Sequence, residues 1–140
     1  MTDLSKAIIL ATKAHDGQVD KQGQPYILHP IRVMLACETE KEKIAAALHD
    51  VLEDTIITEN DLYVEGFSEE IIEAVKSVSR LDPKAERYKD FIQRAKKNPI
   101  GKSVKISDLR DNLRDIPNEP AERKEKRLWK YKTSIMELLS

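Results

Sequence analysis

Apolar residues recur every three or four positions along most of this chain, and no stretch alternates apolar and polar residues as a half-buried strand would. The first such series consists of Leu4, Ala7, Ile8, Ala11 and Ala14. It predicts a helix that ends near Gly17, and Gly23 and Pro25 then indicate a loop over residues 16–28. We therefore expect an all-α fold, a helical bundle of about six to eight helices.

The next two helices are predicted from a proline and an apolar run. Pro30 favours the first turn of a helix, because its missing N–H would have no partner there, so His29 lies at a helix start. The apolar side of this second helix comprises Ile31, Val33, Met34, Leu35 and Cys37. A third helix is predicted from about Lys41 to Leu52.

The second half of the chain gives similar signals. Ser68 is a favourable N-cap for a helix with the apolar residues Ile71, Ile72, Val75 and Val78. Asn98-Pro99 separates a polar helix from one that carries Ile100, Val104, Ile106, Leu109 and Leu113. A terminal helix is expected over residues 121–139, with Leu128, Tyr131, Ile135, Leu138 and Leu139 toward the core.

Composition narrows the class of protein. A length of 140 residues predicts one domain, residues 1–140, with one core. No apolar run approaches the roughly 18 residues of a membrane span, and the N-terminus lacks the pattern of a secretory signal. Cys37 cannot form an internal disulfide, so we expect a packed core thiol and a cytoplasmic protein.

Charge is distributed unevenly along the chain. The net charge of −1 argues against a general nucleic-acid binder. Residues 1–79 carry 7 Lys/Arg and 15 Asp/Glu, whereas residues 80–140 carry 17 and 10. The two halves either have solvated faces of opposite sign, or the acidic half holds a cation while the basic half faces an anionic substrate.

Candidate chemistry concentrates at His49-Asp50, where an apolar helix runs into titratable residues. Histidine nitrogen and carboxylate oxygen together suit a divalent cation. Two further residues complete a predicted set of four ligands: His29, at an apolar-flanked helix start, and Asp108, which follows the apolar face of Val104 and Ile106. His15 also closes an apolar face, but we interpret it as a core or capping histidine.

Two histidines and two aspartates would leave positions open for water and substrate on a six-coordinate ion. Mn²⁺ or Fe²⁺ suits this mixed donor set best, with Zn²⁺ and Mg²⁺ as alternatives. Glu53 and Asp54 lie within a turn of His49-Asp50 and could orient water or transfer a proton. These residues favour a metal-dependent phosphohydrolase acting on a small anionic substrate.

The motifs resemble those of a known family. His29-Pro30, His49-Asp50 with Glu53-Asp54-Thr55, and Asp108 are similar to the HD-domain metal phosphohydrolases. More narrowly, three segments resemble the hydrolase domain of RelA/SpoT proteins, including its small stand-alone metazoan form. They are Ala14-His15-x-Gly17-Gln18, Pro25-Tyr26-Ile27-x-His29-Pro30 and Ala46-Ala47-Leu48-His49-Asp50-Val51-x-Glu53-Asp54-Thr55. The resemblance implies a single HD-domain helical bundle.

The resemblance also implies an activity, hydrolysis of the 3′-pyrophosphate of guanosine tetra- and pentaphosphate, usually with Mn²⁺. By it, His29, His49, Asp50 and Asp108 match metal ligands and Glu53 and Asp54 match the catalytic pair. Lys21 and Asn112 match nucleotide contacts, so the expected partner is a nucleotide and not a nucleic acid or a membrane. The oligomeric state stays open, a homo-oligomer included.

One position departs from the pattern of the resembling proteins. They usually carry an arginine before the lysine that matches Lys21, and this chain has Asp20. An acid repels a polyphosphate and lacks the plane on which a base stacks. Two alternatives therefore stand beside the main interpretation: an HD-domain hydrolase of a different nucleotide or phosphate ester, and a non-catalytic nucleotide-binding module.

Overall fold

The computed structural model describes residues 1–140 and is about 69% helical, which confirms the all-α expectation. The α-helices are α1 (Asp3–Ala14), α2 (Leu28–Ala36), α3 (Glu40–Leu48), α4 (Val51–Asp54), α5 (Glu59–Val64), α6 (Glu69–Ser77), α7 (Tyr88–Lys97), α8 (Pro99–Arg114) and α9 (Ala121–Leu139). A 3₁₀ turn, Ile116–Asn118, joins α8 to α9. No strand forms; an isolated bridge between Val19 and Pro25 closes the loop after α1.

Local sequence accounts for the helix starts. Thr39 and Glu42 form a capping box at the start of α3, with side chain and main chain bonded in both directions. Ser68 accepts a hydrogen bond from the Ile71 N–H, so the predicted cap of α6 is confirmed. Asn98 caps α8, which Pro99 opens. None of the helices is long and apolar enough to span a bilayer.

Helix α3 lies at the centre of the bundle and contacts α1, α2, α6 and α8. Its residues from Ile44 to Leu48 are all buried. Helix α8 packs against α2, α3, α6, α7 and α9. A Cβ at Gly101 would collide with the Ser77 hydroxyl, so glycine there permits the close approach of α8 to α6. The two central helices therefore hold His49 and Asp108 side by side.

The predicted third helix, Lys41 to Leu52, is interrupted in the structure. Helix α3 ends at Leu48, and α4 starts a new turn at Val51. Asp50 lies between the two helices at the edge of the helical region, with φ −104° and ψ −2°. Asp is a weak helix former, and this break turns the His49 and Asp50 side chains toward the same point. Regular apolar spacing alone does not reveal the break.

The expectations for the last helix and for buried side chains are confirmed with two exceptions. Helix α9 covers the predicted residues 121–139. Cys37 is buried, and His15 is 1% exposed and hydrogen-bonded to Gln18, as a core thiol and a core histidine should be. Leu35 and Leu139, predicted to face the core, are instead 70% and 58% exposed.

Candidate metal centre and adjoining cavity

The four predicted ligands come together from three parts of the chain. Nε2 of His29 lies 2.9 Å from Oδ1 of Asp108 and 3.6 Å from Oδ2 of Asp50. Nε2 of His49 lies 3.3 Å and 3.1 Å from the same two oxygens. Two nitrogens and two oxygens therefore alternate around one centre, and those of His29, His49 and Asp50 lie within 4.8 Å of one another.

This arrangement fits a divalent cation. Adjacent ligands on an octahedral ion with bonds of about 2.1 Å are about 3 Å apart, close to the observed separations. The His49 ring is fully enclosed, and its Nδ1 donates to the Ala46 carbonyl at 2.7 Å. Its Nε2 is buried and makes no hydrogen bond of good geometry, although the two carboxylate oxygens lie 3.1 Å and 3.3 Å away. A buried, unpaired nitrogen is costly, and a cation at the centre would satisfy it.

His29 is held by a second carboxylate behind it. Its Nδ1 lies 2.6 Å from Oδ2 of Asp111, which fixes the ring and leaves Nε2 facing the centre. Arg32 donates to both oxygens of Asp111, at 2.8 Å and 3.1 Å. A planar guanidinium paired in this way locks the carboxylate in one orientation. The chain of contacts therefore runs from Arg32 through Asp111 to the ligand.

Both aspartates are also oriented by neighbours. Nζ of Lys105, a buried lysine, donates to Oδ2 of Asp108 at 2.8 Å, so that Oδ1 alone faces the two histidines. The hydroxyl of Tyr26 donates to Oδ2 of Asp50 at 2.5 Å. Each of the four candidate ligands thus has a hydrogen bond that restricts its rotation.

Protonation in the cluster follows from these contacts. Burial acts to lower the pKa of His29, but the hydrogen bonds to Asp108 and Asp111 outweigh it and raise the pKa to about 9. Burial opposes ionisation of Asp111, yet His29 and Arg32 hold its pKa at about 2. In the metal-free cluster His29 therefore holds a proton, whose positive charge offsets the aspartates. A bound cation would displace that proton.

Glu53 and Asp54 lie on α4, next to the cluster. Oε1 of Glu53 accepts a hydrogen bond from the main-chain N–H of Arg80. The Asp54 main-chain carbonyl accepts a hydrogen bond of 2.8 Å from Nε2 of Gln18. Oε1 of the same Gln18 side chain contacts Nδ1 of His15. Partial burial raises the pKa of both carboxyl groups, and the charge of Asp50 adds to this effect. Both groups therefore hold a proton more readily than free carboxyls.

A cavity of about 340 Å³ adjoins His29. Lys21 and Asn112, the predicted nucleotide contacts, both line it. Nζ of Lys21 lies 3.2 Å from Oε1 of Glu119, and Nη1 of Arg127 lies 2.5 Å from the same oxygen. One carboxylate thus ties the loop after α1 to α9 across the cavity wall.

Asp20, the departing residue, also lines this cavity. Its Oδ1 accepts hydrogen bonds of 2.9 Å from the main-chain N–H groups of Gln22 and Gln24. Asp20 therefore shapes the turn that carries Lys21. An arginine at this position could not accept those two bonds.

Sequence reasoning missed five residues that support the site: Tyr26, Arg32, Lys105, Asp111 and Glu119. Three of them carried a usable signal, because Arg32 lies three residues from His29, and Lys105 and Asp111 lie three residues on either side of Asp108. Residues at this spacing share a helix face. Glu119 had no such signal, because its partners lie on a distant loop and on α9.

The helical fold and the His/Asp cluster are those of a family of proteins. Residues 7–129 match the HD domain family, and the chain belongs to that family.

Within this family, the chain is similar to proteins that act on guanosine polyphosphates. The chain is 33% identical over 128 residues to the bifunctional (p)ppGpp synthase/hydrolase SpoT of Escherichia coli, a match that covers 81% of this chain and 18% of that protein. It is 28% identical over 136 residues to a GTP pyrophosphokinase of Myxococcus xanthus, covering 86% and 18%. The chain thus spans under a fifth of the length of these relatives.

A solved structure matches almost the whole chain. It is described as a metazoan ortholog of SpoT that hydrolyzes ppGpp and plays a role in starvation responses. The TM-score is 0.82 at 26% sequence identity, covering 99% of this chain and 86% of that one.

Proposed function

We propose that this protein is a metal-dependent hydrolase that removes the 3′-pyrophosphate from guanosine tetra- and pentaphosphate. The observation that carries the proposal is the four-ligand cluster opening beside a cavity lined by Lys21 and Asn112. A metal next to cationic and amide side chains suits a phosphorylated nucleotide.

The comparisons support hydrolysis over synthesis. The name of the Escherichia coli relative covers both reactions, and this chain matches 18% of that protein. This chain covers 86% of the metazoan structure, and that protein is described as hydrolysing ppGpp. The HD domain described here is therefore proposed to carry the hydrolase reaction.

We propose His29, His49, Asp50 and Asp108 as the metal ligands. A divalent cation held there supplies Lewis acidity, withdrawing charge from a phosphoryl oxygen and making water easier to deprotonate. Mn²⁺ is the ion we propose, because mixed nitrogen and oxygen donors suit it; Fe²⁺, Zn²⁺ and Mg²⁺ are the alternatives.

Glu53 and Asp54 are proposed to handle the protons. With Oε1 of Glu53 bonded to the Arg80 N–H, Oε2 can take a proton from the attacking water. The water oxygen bonds to the phosphorus next to ribose O3′, and the O3′–P bond breaks. Asp54, whose pKa is raised, can donate a proton to O3′, so that GDP or GTP and pyrophosphate leave.

Lys21 and Asn112 are proposed to hold the nucleoside end of the substrate. Lys21 is positioned by Glu119 and remains 58% exposed, so its ammonium group can also reach a ligand. Asn112 offers both a donor and an acceptor to a base or ribose. Both residues line the same cavity as His29, so a nucleotide held there would extend toward the metal ligands.

Asp20 favours a second candidate, the same reaction type on a different nucleotide or phosphate ester. Its carboxylate lines the cavity, where it opposes a strongly anionic group. A less highly charged nucleotide would meet less repulsion there. The alternative differs only in substrate, since the metal ligands and the Glu53–Asp54 pair would act in the same way.

A nucleotide panel separates the two candidates. The purified protein would be assayed with Mn²⁺ for release of pyrophosphate and of orthophosphate from guanosine tetraphosphate, other guanine nucleotides and adenine nucleotides. We expect pyrophosphate and GDP from guanosine tetraphosphate at the highest kcat/KM. Higher kcat/KM for another compound would replace the proposed substrate, and no Mn²⁺-dependent release from any compound would remove the proposal.

The domain organisation, partners and location of the protein are also proposals. We propose that residues 1–140 act as a single HD-type domain whose partner is a small nucleotide, with no role for nucleic acid or a membrane. The buried single cysteine, Cys37, is consistent with a reducing cytoplasm as its location.

A further inference from the structure

Two cations lie against one aromatic ring at the edge of the candidate site. Nζ of Lys130 is 4.1 Å from the centroid of the Tyr88 ring, and the guanidinium carbon of Arg80 is 5.8 Å from it. The Arg80 side chain donates only to the main-chain carbonyls of Glu86 and Pro83. Neither cation lies within 4.0 Å of a carboxylate oxygen.

Their neighbours are paired, which sets these two cations apart. Lys105 is bonded to Asp108, and Arg127 to Glu119. Burial lowers the pKa of Lys130, and the positive charges of Lys105, Arg80 and Arg127 lower it further. The cations near Tyr88 therefore repel one another, and Glu86, whose pKa is lowered by Arg94 and also by Arg80, offsets only Arg80 and Arg94. An anion bound at Tyr88 would relieve the repulsion on Lys130.

This cation pair adjoins the proposed catalytic groups. The main-chain N–H of Arg80 donates to the Glu53 carboxylate. The residue that carries this guanidinium therefore contacts Glu53 directly. On the other side, the Tyr88 ring packs edge-on against Phe91 at 6.1 Å, and Phe91 carries Lys105 over its face at 4.9 Å. Lys105 in turn contacts the ligand Asp108.

The segment that presents Arg80 is fixed in place. Arg94 donates to the carbonyl of Ser79 at 2.8 Å and forms an ion pair with Glu86 at 2.8 Å. Arg80 itself bonds to the Glu86 carbonyl. Both ends of the segment are thus tied to α7, and the guanidinium is held ready at little entropic cost to binding.

We propose that Arg80 and Lys130, placed on the Tyr88 ring, form a subsite for the departing diphosphate, separate from the nucleoside cavity. None of these three residues lines that cavity, whereas Lys21 and Asn112 do. The inference rests on the proposed function: the nucleoside occupies the cavity, the scissile bond lies at the metal cluster, and the leaving group is received by the unpaired cations beyond Glu53.

Binding of inorganic pyrophosphate tests the subsite without turnover. Calorimetric titration would use the protein with equal Mn²⁺ in cell and syringe and a protein-free blank. We expect Lys130→Met and Arg80→Met each to weaken pyrophosphate binding about tenfold, the size of one charge-assisted contact. Lys132→Met, which removes an exposed lysine on the same helix, should change it less than twofold, and GDP binding should be unchanged in all three variants.

Lys130→Met is the safer variant for folding, because that side chain makes no hydrogen bond in the structure. A second readout compares guanosine tetraphosphate with the analogue that carries a single 3′-phosphate. Wild type should prefer the former, and both variants should lose most of that preference in kcat/KM, because the terminal phosphate no longer meets its cation.

Failure of the two proposals can be told apart. Pyrophosphate binding that depends on Arg80 and Lys130 in a protein that does not hydrolyse guanosine tetraphosphate would keep the subsite and remove the proposed substrate. Hydrolysis with equal pyrophosphate affinity in wild type, both variants and the Lys132→Met control would remove the subsite and keep the function.

Discussion

The candidate metal cluster and the proposed nucleoside cavity lie side by side but are built differently. In the cluster, ligands from α2, α8 and the α3–α4 break each carry a further hydrogen bond, as with His29 to Asp111 and Asp108 to Lys105. In the cavity, a loop and α9 are joined through one carboxylate, Glu119. The geometry of the candidate ligands is therefore held by many contacts, whereas the position of Lys21 depends on few.

The largest expected effect is on the proposed catalytic pair. Glu53→Gln combined with Asp54→Asn should lower kcat about 10²–10⁴-fold, because proton transfer is lost while no metal ligand changes. Turnover would be measured beside Mn²⁺ binding by equilibrium dialysis. Normal turnover in this double variant would show that the two carboxyl groups are not catalytic.

The next effect is on stability. Lys105→Met should destabilise the metal-free protein by about 3 kcal/mol, because the buried Asp108 would lose one of the positive charges that offset its own and would keep only the neighbouring histidines. Mn²⁺ should restore more stability to this variant than to wild type, since the cation replaces the missing charge. Chemical unfolding with and without Mn²⁺ measures both, with Lys102→Met on the same helix as control. Equal Mn²⁺ stabilisation in wild type and Lys105→Met would contradict the role given to Lys105.

Removing the Asp111 carboxylate, which lies behind His29, should have an intermediate effect on Mn²⁺ binding. Asp111→Asn is expected to weaken Mn²⁺ binding about 10–100-fold, the usual effect of losing a hydrogen-bond partner behind a metal-bound histidine. Asp115→Asn, on the same helix end and lining the cavity, is a matched control that should leave Mn²⁺ affinity unchanged. Equal losses in both variants would point to general charge instead of orientation of His29.

The pH dependence of stability should also reveal the cluster. The pKa of His29 is raised from 6.5 to about 9, so its contribution is full below pH 6.5 and is lost as pH rises through 9. The pKa of Asp111 is lowered from 3.8 to about 2, so its contribution is full above pH 3.8 and is lost as pH falls through 2.

Thermal unfolding of the metal-free protein should therefore show its highest melting temperature between about pH 4 and 6.5. Mn²⁺ should raise the melting temperature more at pH 8 than at pH 6, because binding displaces a proton from the cluster. His29→Gln should reduce the alkaline loss but not abolish it, because Asp50 and Asp108 overcome burial and also raise the pKa of His49. A Mn²⁺ effect independent of pH would contradict the proton displacement.

The smallest effect is expected in the cavity. Glu119→Gln should raise KM for guanosine tetraphosphate a few-fold with kcat unchanged, because Lys21 and Arg127 lose an anchor worth about 1 kcal/mol. Glu122→Gln, at the exposed start of α9, serves as control. A fall in kcat with constant KM would place Glu119 closer to the reaction than the structure does.

The contrast between the two regions also explains what the sequence could predict. His29, His49, Asp50 and Asp108 were identifiable because each lies beside apolar helical residues, where a polar residue is costly. The fold class followed from helical spacing. The break at His49-Asp50 was not predicted, because the apolar pattern continues through Val51 and Leu52.

Long-range partners were beyond the sequence. Arg32 and Asp111 are 79 residues apart, and Lys21 and Glu119 are 98 apart, so no local pattern links them. Exposure of Leu35 and Leu139 likewise depends on which neighbours cover a helix face, which spacing within one helix does not specify. Residue types predicted the chemistry, and packing determined which residues support it.

The four-ligand cluster is proposed to bind one divalent cation, and this cation is proposed to be required for release of pyrophosphate. The most direct measurement titrates Mn²⁺ into metal-free protein while bound metal and hydrolysis of guanosine tetraphosphate are followed together. Activity that rises in proportion to bound Mn²⁺ up to one ion per chain, and is abolished by chelator and by His49→Ala, is the predicted result. Hydrolysis that persists without bound metal, or in His49→Ala, would contradict it.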